Sequence, residues 1–283
     1  MTDARFDSKA YALVKAVCAG DALAVQGALQ DRADANWRDS EGKTPLHHAI
    51  EGGSTVITDA LLRHGADMLS RDVKERVPSA LGLAASLGKE DIVNSFIAAG
   101  AKPQAAENAL NLATENKHIG TAKILLDAGF DVDFLPTAGR TPLMIAAAND
   151  DTAMMETLLE KGADPNAKDM RNFTALHWAA LTGKAGGVKP LVERGADETL
   201  KNIYGQTPAM MAAEYGYSAV TALLDDAFSI RKAFTEAVRK QTEAQENAQR
   251  QEREEALGVF KKGTDRPLHG KQHPASFRKH RPS

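Results

Sequence analysis

A six-residue phrase recurs along this chain at intervals that are multiples of about 33 residues. It begins at Thr44, Thr141, Thr174 and Thr207 and reads TPLHHA, TPLMIA, TALHWA and TPAMMA. A fixed period of this length predicts an array of stacked short units, because one such unit cannot bury its apolar face alone. An array of this kind has no single closed active-site cavity by default, and it offers a long surface for binding.

Weaker copies of the phrase keep the same register. Its third position is held by Leu13, Leu46, Leu81, Leu110, Leu143, Leu176 and Ala209, at steps of 33, 35, 29, 33, 33 and 33 residues. A second phrase, Gly-Ala-Asp, follows at a fixed distance and begins at Gly65, Gly162 and Gly195. Two independent markers with one period predict about seven units.

Each unit has the sequence pattern of two short helices. Thr44 is a suitable N-cap, and Pro45 then falls at the first helical position, where its missing N–H costs nothing. The apolar stretch 56–62 predicts a second helix, and Gly65 can end it in the left-handed conformation. The turn-rich segment after Asp67 is expected to form a projecting β-hairpin finger.

The period and the T-P-L-H-x-A phrase resemble those of the ankyrin repeat, and the resemblance covers residues 6–228. It implies an all-α fold, an ankyrin-repeat solenoid of stacked helix-turn-helix units with short β-hairpin fingers. It also implies that the rings of His47 and His177 hydrogen-bond neighbouring turns. Ankyrin arrays serve as scaffolds for protein–protein interaction, so the resemblance implies a non-enzymatic protein-binding module.

Four segments are expected along the chain. Residues 1–5 are a disordered N-terminus and 6–228 the repeat array. Residues 229–257 form a polar helix, partly packed on the last repeat through apolar residues such as Ile230 and Val238. Residues 258–283 form a basic tail that should be disordered, because it has few apolar residues and a high net charge.

Three copies depart from the pattern. Arg32 stands where later copies have the capping glycine. The step of 29 residues removes about four residues near 102–106, which predicts a truncated finger. The segment 183–190 is rich in Gly and Pro, so the second helix of the sixth repeat should begin late. That segment is either tolerated drift or a flexible joint.

Motifs that could carry catalysis are incomplete. Gly42-Lys43-Thr44 looks like the end of a phosphate-binding loop, but Trp37 stands where that loop needs glycine. The pair His47-His48 has no accompanying Cys or His cluster that would complete a metal site. Cys18 has no catalytic histidine at a recognisable spacing. We therefore predict no catalytic residues, cofactor, metal or small-molecule substrate.

Composition limits which partners and which cellular compartment the sequence predicts. The net charge of −3 makes the whole chain a poor electrostatic trap for nucleic acid. One cysteine excludes an internal disulfide, which fits a reducing compartment, and a cytoplasmic location is expected. No stretch is long and apolar enough to predict a membrane span.

The resemblance implies that finger tips and the ends of the first helices form a concave binding face. Aromatic residues, Met and Arg are enriched at such interfaces, and they gather in the later repeats. The predicted partner-binding residues are Met170, Arg171, Phe173, Leu181, Ile203, Tyr204, Tyr215 and Arg140. An alternative is that Phe173 and Ile203 only brace adjacent fingers. Trp178 is interpreted as core and not as a contact residue.

The tail provides further hypotheses. Its basic residues are Lys261, Lys262, Arg266, Lys271, Arg278, Lys279 and Arg281. Against Asp265 alone they give the tail a charge of about +6, which leaves about −9 for the rest of the chain. Such a tail could bind nucleic acid, an acidic partner or an anionic membrane. It could instead be the export or targeting signal of a secreted effector.

Overall fold

The computed structural model describes residues 8–69, 78–101, 108–136 and 139–264. This part of the chain contains fifteen α-helices and no β-strand. Seven helix pairs are followed by one long helix, so the all-α prediction is confirmed.

The helices of each pair have constant positions in the repeat. The first helices are α1 (Ser8–Cys18), α3 (Pro45–Glu51), α5 (Ala80–Ser86), α7 (Ala109–Glu115), α9 (Pro142–Ala148), α11 (Ala175–Thr182) and α13 (Pro208–Glu214). The second helices are α2 (Ala22–Gln30), α4 (Thr55–Arg63), α6 (Glu90–Ala98), α8 (Ile119–Asp127), α10 (Thr152–Glu160), α12 (Val188–Glu193) and α14 (Ser218–Asp225). First helices pack on first helices and second helices on second helices along the stack.

The phrase positions form the core. The leucines at its third position are at most 1% exposed: Leu13, Leu46, Leu81, Leu110, Leu143 and Leu176. The alanines at its last position are as deeply buried from the second pair onward: Ala49, Ala84, Ala113, Ala146, Ala179 and Ala212. A small side chain at this position allows neighbouring helices to approach closely. The phrase is therefore framework, as the sequence predicted.

The histidine of the phrase ties one repeat to the next. In α3 the His47 Nδ1 accepts the Thr44 backbone N–H at 3.1 Å, and Nε2 lies 2.9 Å from the Pro78 carbonyl. Because a carbonyl can only accept, Nε2 carries the proton and the ring is neutral. His177 repeats this arrangement with Thr174 and with the Gln206 carbonyl at 3.1 Å. The role that the resemblance implied for both rings is confirmed.

The Gly-Ala-Asp phrase belongs to a second ladder between repeats. Asn36 donates from Nδ2 to the Gly65 carbonyl at 2.9 Å, and its Oδ1 accepts the Asp67 N–H at 2.7 Å. Asn166 makes the same pair of bonds four repeats later, at 3.0 and 2.7 Å, to the Gly195 carbonyl and the Asp197 N–H. The ladder therefore joins main-chain groups of this phrase to the repeat before it.

Asp133 occupies the same register as those asparagines but lacks the donor. Its two carboxylate oxygens accept the Asp164 N–H at 3.1 and 3.0 Å. Burial raises the pKa of Asp133, and the like charges of Asp164 and Asp131 raise it further, against the lowering effect of the bond from the Asp164 N–H. This rung of the ladder is therefore weaker than the rungs at Asn36 and Asn166.

The described fingers are short closed turns. Backbone bonds of 3.0 Å run from the N–H of Asp39, Asp169 and Asn202 to the carbonyl four residues later. In each finger the same side chain also accepts the N–H groups two and four residues ahead. Turns this short hold no regular strand, so the predicted hairpins are turns in the residues the structure covers. The predicted truncation near 102–106 lies outside the described residues.

Two of the irregular copies have a clear backbone cause. Arg32 adopts a φ of 61°, the left-handed conformation that Gly65 adopts with a φ of 81°. Helix α12 begins only at Val188 and has six residues, whereas α10 has nine. The predicted late start is confirmed. Whether the segment acts as a flexible joint stays a prediction.

Helix α15 (Ala227–Thr264) crosses the boundary between two compact units, residues 1–231 and 232–283. In the first unit, Ile230 packs on the core and Arg231 donates to the Ala196 carbonyl at 3.1 Å. In the second unit Val238 is 44% exposed. None of the helices in the described residues combines the length and apolar character that crossing a bilayer requires. Residues 265–283 of the tail lie outside the described residues.

Candidate functional site

The fingers lie against the C-terminal ends of the first helices, and together these form what we call the finger face. Side-chain contacts join the two parts in the second, sixth and seventh repeats: Asp39 to His48 at 2.9 Å, Asp169 to Trp178 at 3.3 Å and Gln206 to Glu214 at 2.6 Å. Because the framework fixes both parts, side chains here have defined positions relative to one another.

Most of the predicted contact residues lie on this face with their side chains in solvent. Met170 is 69% exposed, Tyr204 63%, and Ile203 and Tyr215 54% each. Arg171 is exposed as well. Leu181 and Arg140 are half-buried. The assignment of these residues to partner binding stays a prediction.

Phe173 does not belong to the exposed set. Its side chain is 7% exposed, and its ring centroid lies 5.5 Å from that of His177 and 5.7 Å from that of Trp178. Its prediction as a partner contact is wrong, because the ring fills the space under its own finger. Ile203 braces through its backbone instead: its N–H donates to the Arg171 carbonyl at 3.0 Å while its side chain stays exposed.

Two exposed residues near the predicted set were missed. Tyr217 stacks on Tyr215, with ring centroids 6.2 Å apart and an interplanar angle of 25°. Met210 is 55% exposed at the register where His47 and His177 are buried. In those repeats the next finger covers the position. Met210 lies in the last repeat of the array, and this position is the signal that could have identified it as a surface residue.

The N-terminal end of the finger face is charged and already paired. Lys43 lies 2.7 Å from Glu51 and 3.6 Å from Glu41. Hydrogen bonding to Glu51 raises the pKa of Lys43 despite some burial. Burial raises the pKa of Asp39, but the bonds from His48 and from the backbone outweigh it, so the net shift is downward. These charges satisfy one another and leave little for a partner.

A cleft of about 770 Å³ opens in the middle of the finger face. It is lined by Asn108, Asn111, Leu112, Glu115, Pro136, Gly139, Arg140, Ile145, Asp169, Met170, Arg171 and Trp178. Trp178, which the sequence placed in the core, is only half-buried, and the Arg140 guanidinium lies 4.8 Å above its ring. Sequence reasoning missed this cleft, because its walls come from three different repeats.

The two neighbouring histidines of the first phrase copy already have hydrogen-bond partners. His48 bonds to Asp39, and both nitrogens of His47 are occupied by backbone partners. Within the part of the chain that the structure describes, no group of three or more His, Cys, Asp or Glu residues is placed to hold a metal ion.

The framework and the finger face define a repeat scaffold, and sequence comparison gives its family. The model of ankyrin repeats matches residues 2–72, 81–169 and 169–233. The chain therefore belongs to the ankyrin-repeat family, whose repeats indicate a protein–protein interaction module.

Solved structures agree with this assignment. The ankyrin repeat domain of Bcl-3, described as a unique member of the IkappaB protein family, superposes with a TM-score of 0.67 at 27% identity. The match covers 76% of this chain and 97% of that one. The human ASB11 ankyrin repeat domain gives a TM-score of 0.66 at 25% identity and covers 76% and 96%.

Curated relatives share only short stretches. The mouse 2-5A-dependent ribonuclease is 50% identical over 56 residues, which is 19% of this chain and 8% of the relative. The human Arf-GAP with coiled-coil, ANK repeat and PH domain-containing protein 3 is 45% identical over 60 residues, or 20% and 7%. The chain spans less than a tenth of either relative in these matches, so their similarity concerns the repeats.

Proposed function

We propose that this chain is a non-enzymatic interaction module that binds a partner protein on the finger face, mainly through its C-terminal repeats. The observation that carries the proposal is the unequal distribution of strongly exposed apolar side chains over the finger face. Met170, Ile203, Tyr204 and Tyr215 are each more than half exposed, whereas the N-terminal fingers present paired charges. Exposed apolar groups on a rigid framework mark binding surfaces.

Rigidity supports the same proposal. The Tyr204 N–H and the Gln206 N–H donate to Asn202 Oδ1 at 2.9 and 3.1 Å, which holds the last finger in one conformation. Tyr215 follows α13 and stacks on Tyr217. Side chains that are ordered before binding lose less conformational entropy when a partner arrives, so these tyrosines are suited to act as anchors.

Affinity capture from cells of the source organism, followed by calorimetry with the captured protein, tests the proposal. Tyr204→Ala combined with Tyr215→Ala should weaken binding by roughly tenfold or more, since buried tyrosines often dominate interfaces. Leu23→Ala combined with Val56→Ala is the matched control, because these side chains are 81% and 64% exposed in the first two repeats. Equal loss in both variants, or no loss in either, contradicts the proposal.

The tail supports a second candidate function. Its charge of about +6 favours contact with nucleic acid, an acidic partner or an anionic membrane, or use as a targeting signal in a secreted effector. Deleting residues 258–283 distinguishes a tail that binds a partner from a tail that serves as a targeting signal. Salt-dependent loss of binding supports the tail as a binding element. A changed location in cells with binding intact supports a targeting signal.

For the intact chain we propose the cytoplasm, since its single cysteine suits a reducing compartment.

A further inference from the structure

Two arginines line the central cleft with little to neutralise them. Arg140 reaches Glu115 only at 4.0 Å, and its guanidinium lies over the Trp178 ring. The Arg171 side chain is exposed, and no described carboxylate lies within 4.0 Å of its guanidinium group. The cleft thus presents two guanidinium groups, each able to bind a carboxylate through paired N–H donors.

The two acidic residues of the cleft differ in how far a ligand can reach them. Asp169 is 9% exposed, and its carboxylate accepts the backbone N–H groups of Arg171 and Phe173 at 2.8 Å each and the indole N–H of Trp178 at 3.3 Å. Glu115, whose side chain is 46% exposed, is the other acid of the lining. Because Asp169 is buried and its oxygens are occupied, the charged groups that remain open to a ligand are two positive, Arg140 and Arg171, and one negative, Glu115.

The rest of the cleft lining is largely apolar. Apolar surface comes from Leu112, Pro136, Ile145, Met170 and Trp178. On the floor, Asn111 is 4% exposed and donates from Nδ2 to the Arg140 carbonyl at 2.8 Å, whereas its Oδ1 has no hydrogen-bond partner. The Oδ1 atom is shielded from solvent, so the role of Asn111 in the cleft is to hold the Arg140 main chain in place.

We infer that this cleft binds an extended segment of a partner protein in which an acidic side chain stands next to an apolar one. The carboxylate pairs with Arg140 and Arg171, and the apolar side chain packs on Trp178 and Met170. This inference rests on the proposed function and gives the chemistry of the partner. The chain's own basic tail has the wrong charge for the same place.

A defined peptide tests the inference without knowledge of the natural partner. The probe is fluorescein-labelled Gly-Glu-Leu-Glu-Phe-Glu-Gly, and its control replaces every Glu with Gln. Fluorescence anisotropy with the full chain should show binding of the acidic peptide that weakens as salt rises from about 50 to about 300 mM. The Gln peptide should bind at least about tenfold more weakly, because its amides carry no charge.

Matched variants locate the site. Arg171→Gln alone and Arg140→Gln with Arg171→Gln should lower the affinity for the acidic peptide progressively, the pair by about tenfold or more. Arg171→Gln removes an exposed side chain and keeps the fold. Arg63→Gln with Arg194→Gln changes the charge equally at exposed positions outside the cleft and should leave the affinity unchanged.

Several outcomes overturn the inference. These are equal binding of the two peptides, unchanged affinity in the Arg140 and Arg171 pair, or equal loss in the control pair. Tyr204 and Tyr215 lie outside the cleft lining, so Tyr204→Ala with Tyr215→Ala should retain the peptide. If that variant loses the natural partner while no variant affects the peptide, the proposed function stands and the assignment of the cleft is wrong.

Discussion

The Asp150 side chain accepts the backbone N–H of Gly187 at 3.1 Å, from one repeat to the next. Gly187 is the residue before α12, the helix that begins late. Asp150 itself adopts a φ of 55°, a conformation that aspartate tolerates better than most residues. The fifth repeat thus supplies the cap that the glycine-rich start of α12 cannot supply for itself.

Asp150→Ala should therefore loosen α12. Loss of the capping acceptor costs about 1 kcal/mol in free energy of unfolding, and hydrogen exchange of the amides of 188–193 should speed up. Asp150→Asn keeps both an acceptor and tolerance of positive φ, so it should stay close to the parent chain. Urea unfolding and amide exchange measure both effects, and unchanged exchange in Asp150→Ala would contradict the role of the cap.

Asp133→Asn should stabilise the array. The new amide can donate to the Gly162 carbonyl, as Asn36 does to Gly65, and it removes a partly buried charge beside Asp164. We expect a gain of roughly 1 kcal/mol, the usual net value of one hydrogen bond. The reciprocal change, Asn166→Asp, should cost a similar amount by urea unfolding. Effects of the same sign in both variants would be inconsistent with the ladder.

Stability should fall as the solution becomes mildly acidic. Burial lowers the pKa of His47 and His177 below the usual value near 6.5, so the folded state resists a proton that the unfolded chain accepts. Their contribution is complete above that unfolded value and is lost as the pH falls from it toward the folded values. Urea midpoints at about pH 7.5 and about pH 5.5 measure this loss.

The control for this pH dependence comes from the chain itself. Asn111 stands in the same register and donates to the Arg140 carbonyl without titrating. His47→Asn with His177→Asn should therefore keep the carbonyl bonds and show a smaller loss of stability between the two pH values. An identical pH dependence in the variant would show that other groups cause it.

Gly183→Ala should cost more stability than Gly216→Ala. Both glycines have positive φ, 70° and 76°, so both substitutions carry a backbone cost of about 1 kcal/mol. Only at Gly183 would the new methyl group lie 2.8 Å from the Tyr217 ring. Tyr217→Ala should abolish the extra cost in a double-mutant cycle. Additive effects of the two changes would exclude this contact as the cause.

The framework was readable from the sequence because its positions obey local rules. Thr44 and Pro45 fix the start of a helix by themselves, and Leu46 repeats at a distance that only stacking explains. The late start of α12 followed from the residues 183–190 in the same way. Such features depend on residues that are close in sequence or equal in register.

The candidate site was less predictable because its exposure depends on neighbouring repeats. Phe173 shares its register with Lys43, Arg140 and Gln206, none of which is fully buried, and only the packing of one finger on His177 and Trp178 buries it. The cleft needs walls from three repeats at once. No local pattern signals either arrangement.

The weak rung at Asp133 also affects how the array comes apart. In a repeat protein the free energy of unfolding is a sum of terms for each repeat and each junction, so a weakened junction is a place where blocks of repeats can separate. Asp133 joins the fourth pair to the fifth, and the central cleft spans the same junction through Asn111 and Arg140. A segment bound in that cleft would hold the two blocks together and make the array unfold as one cooperative unit.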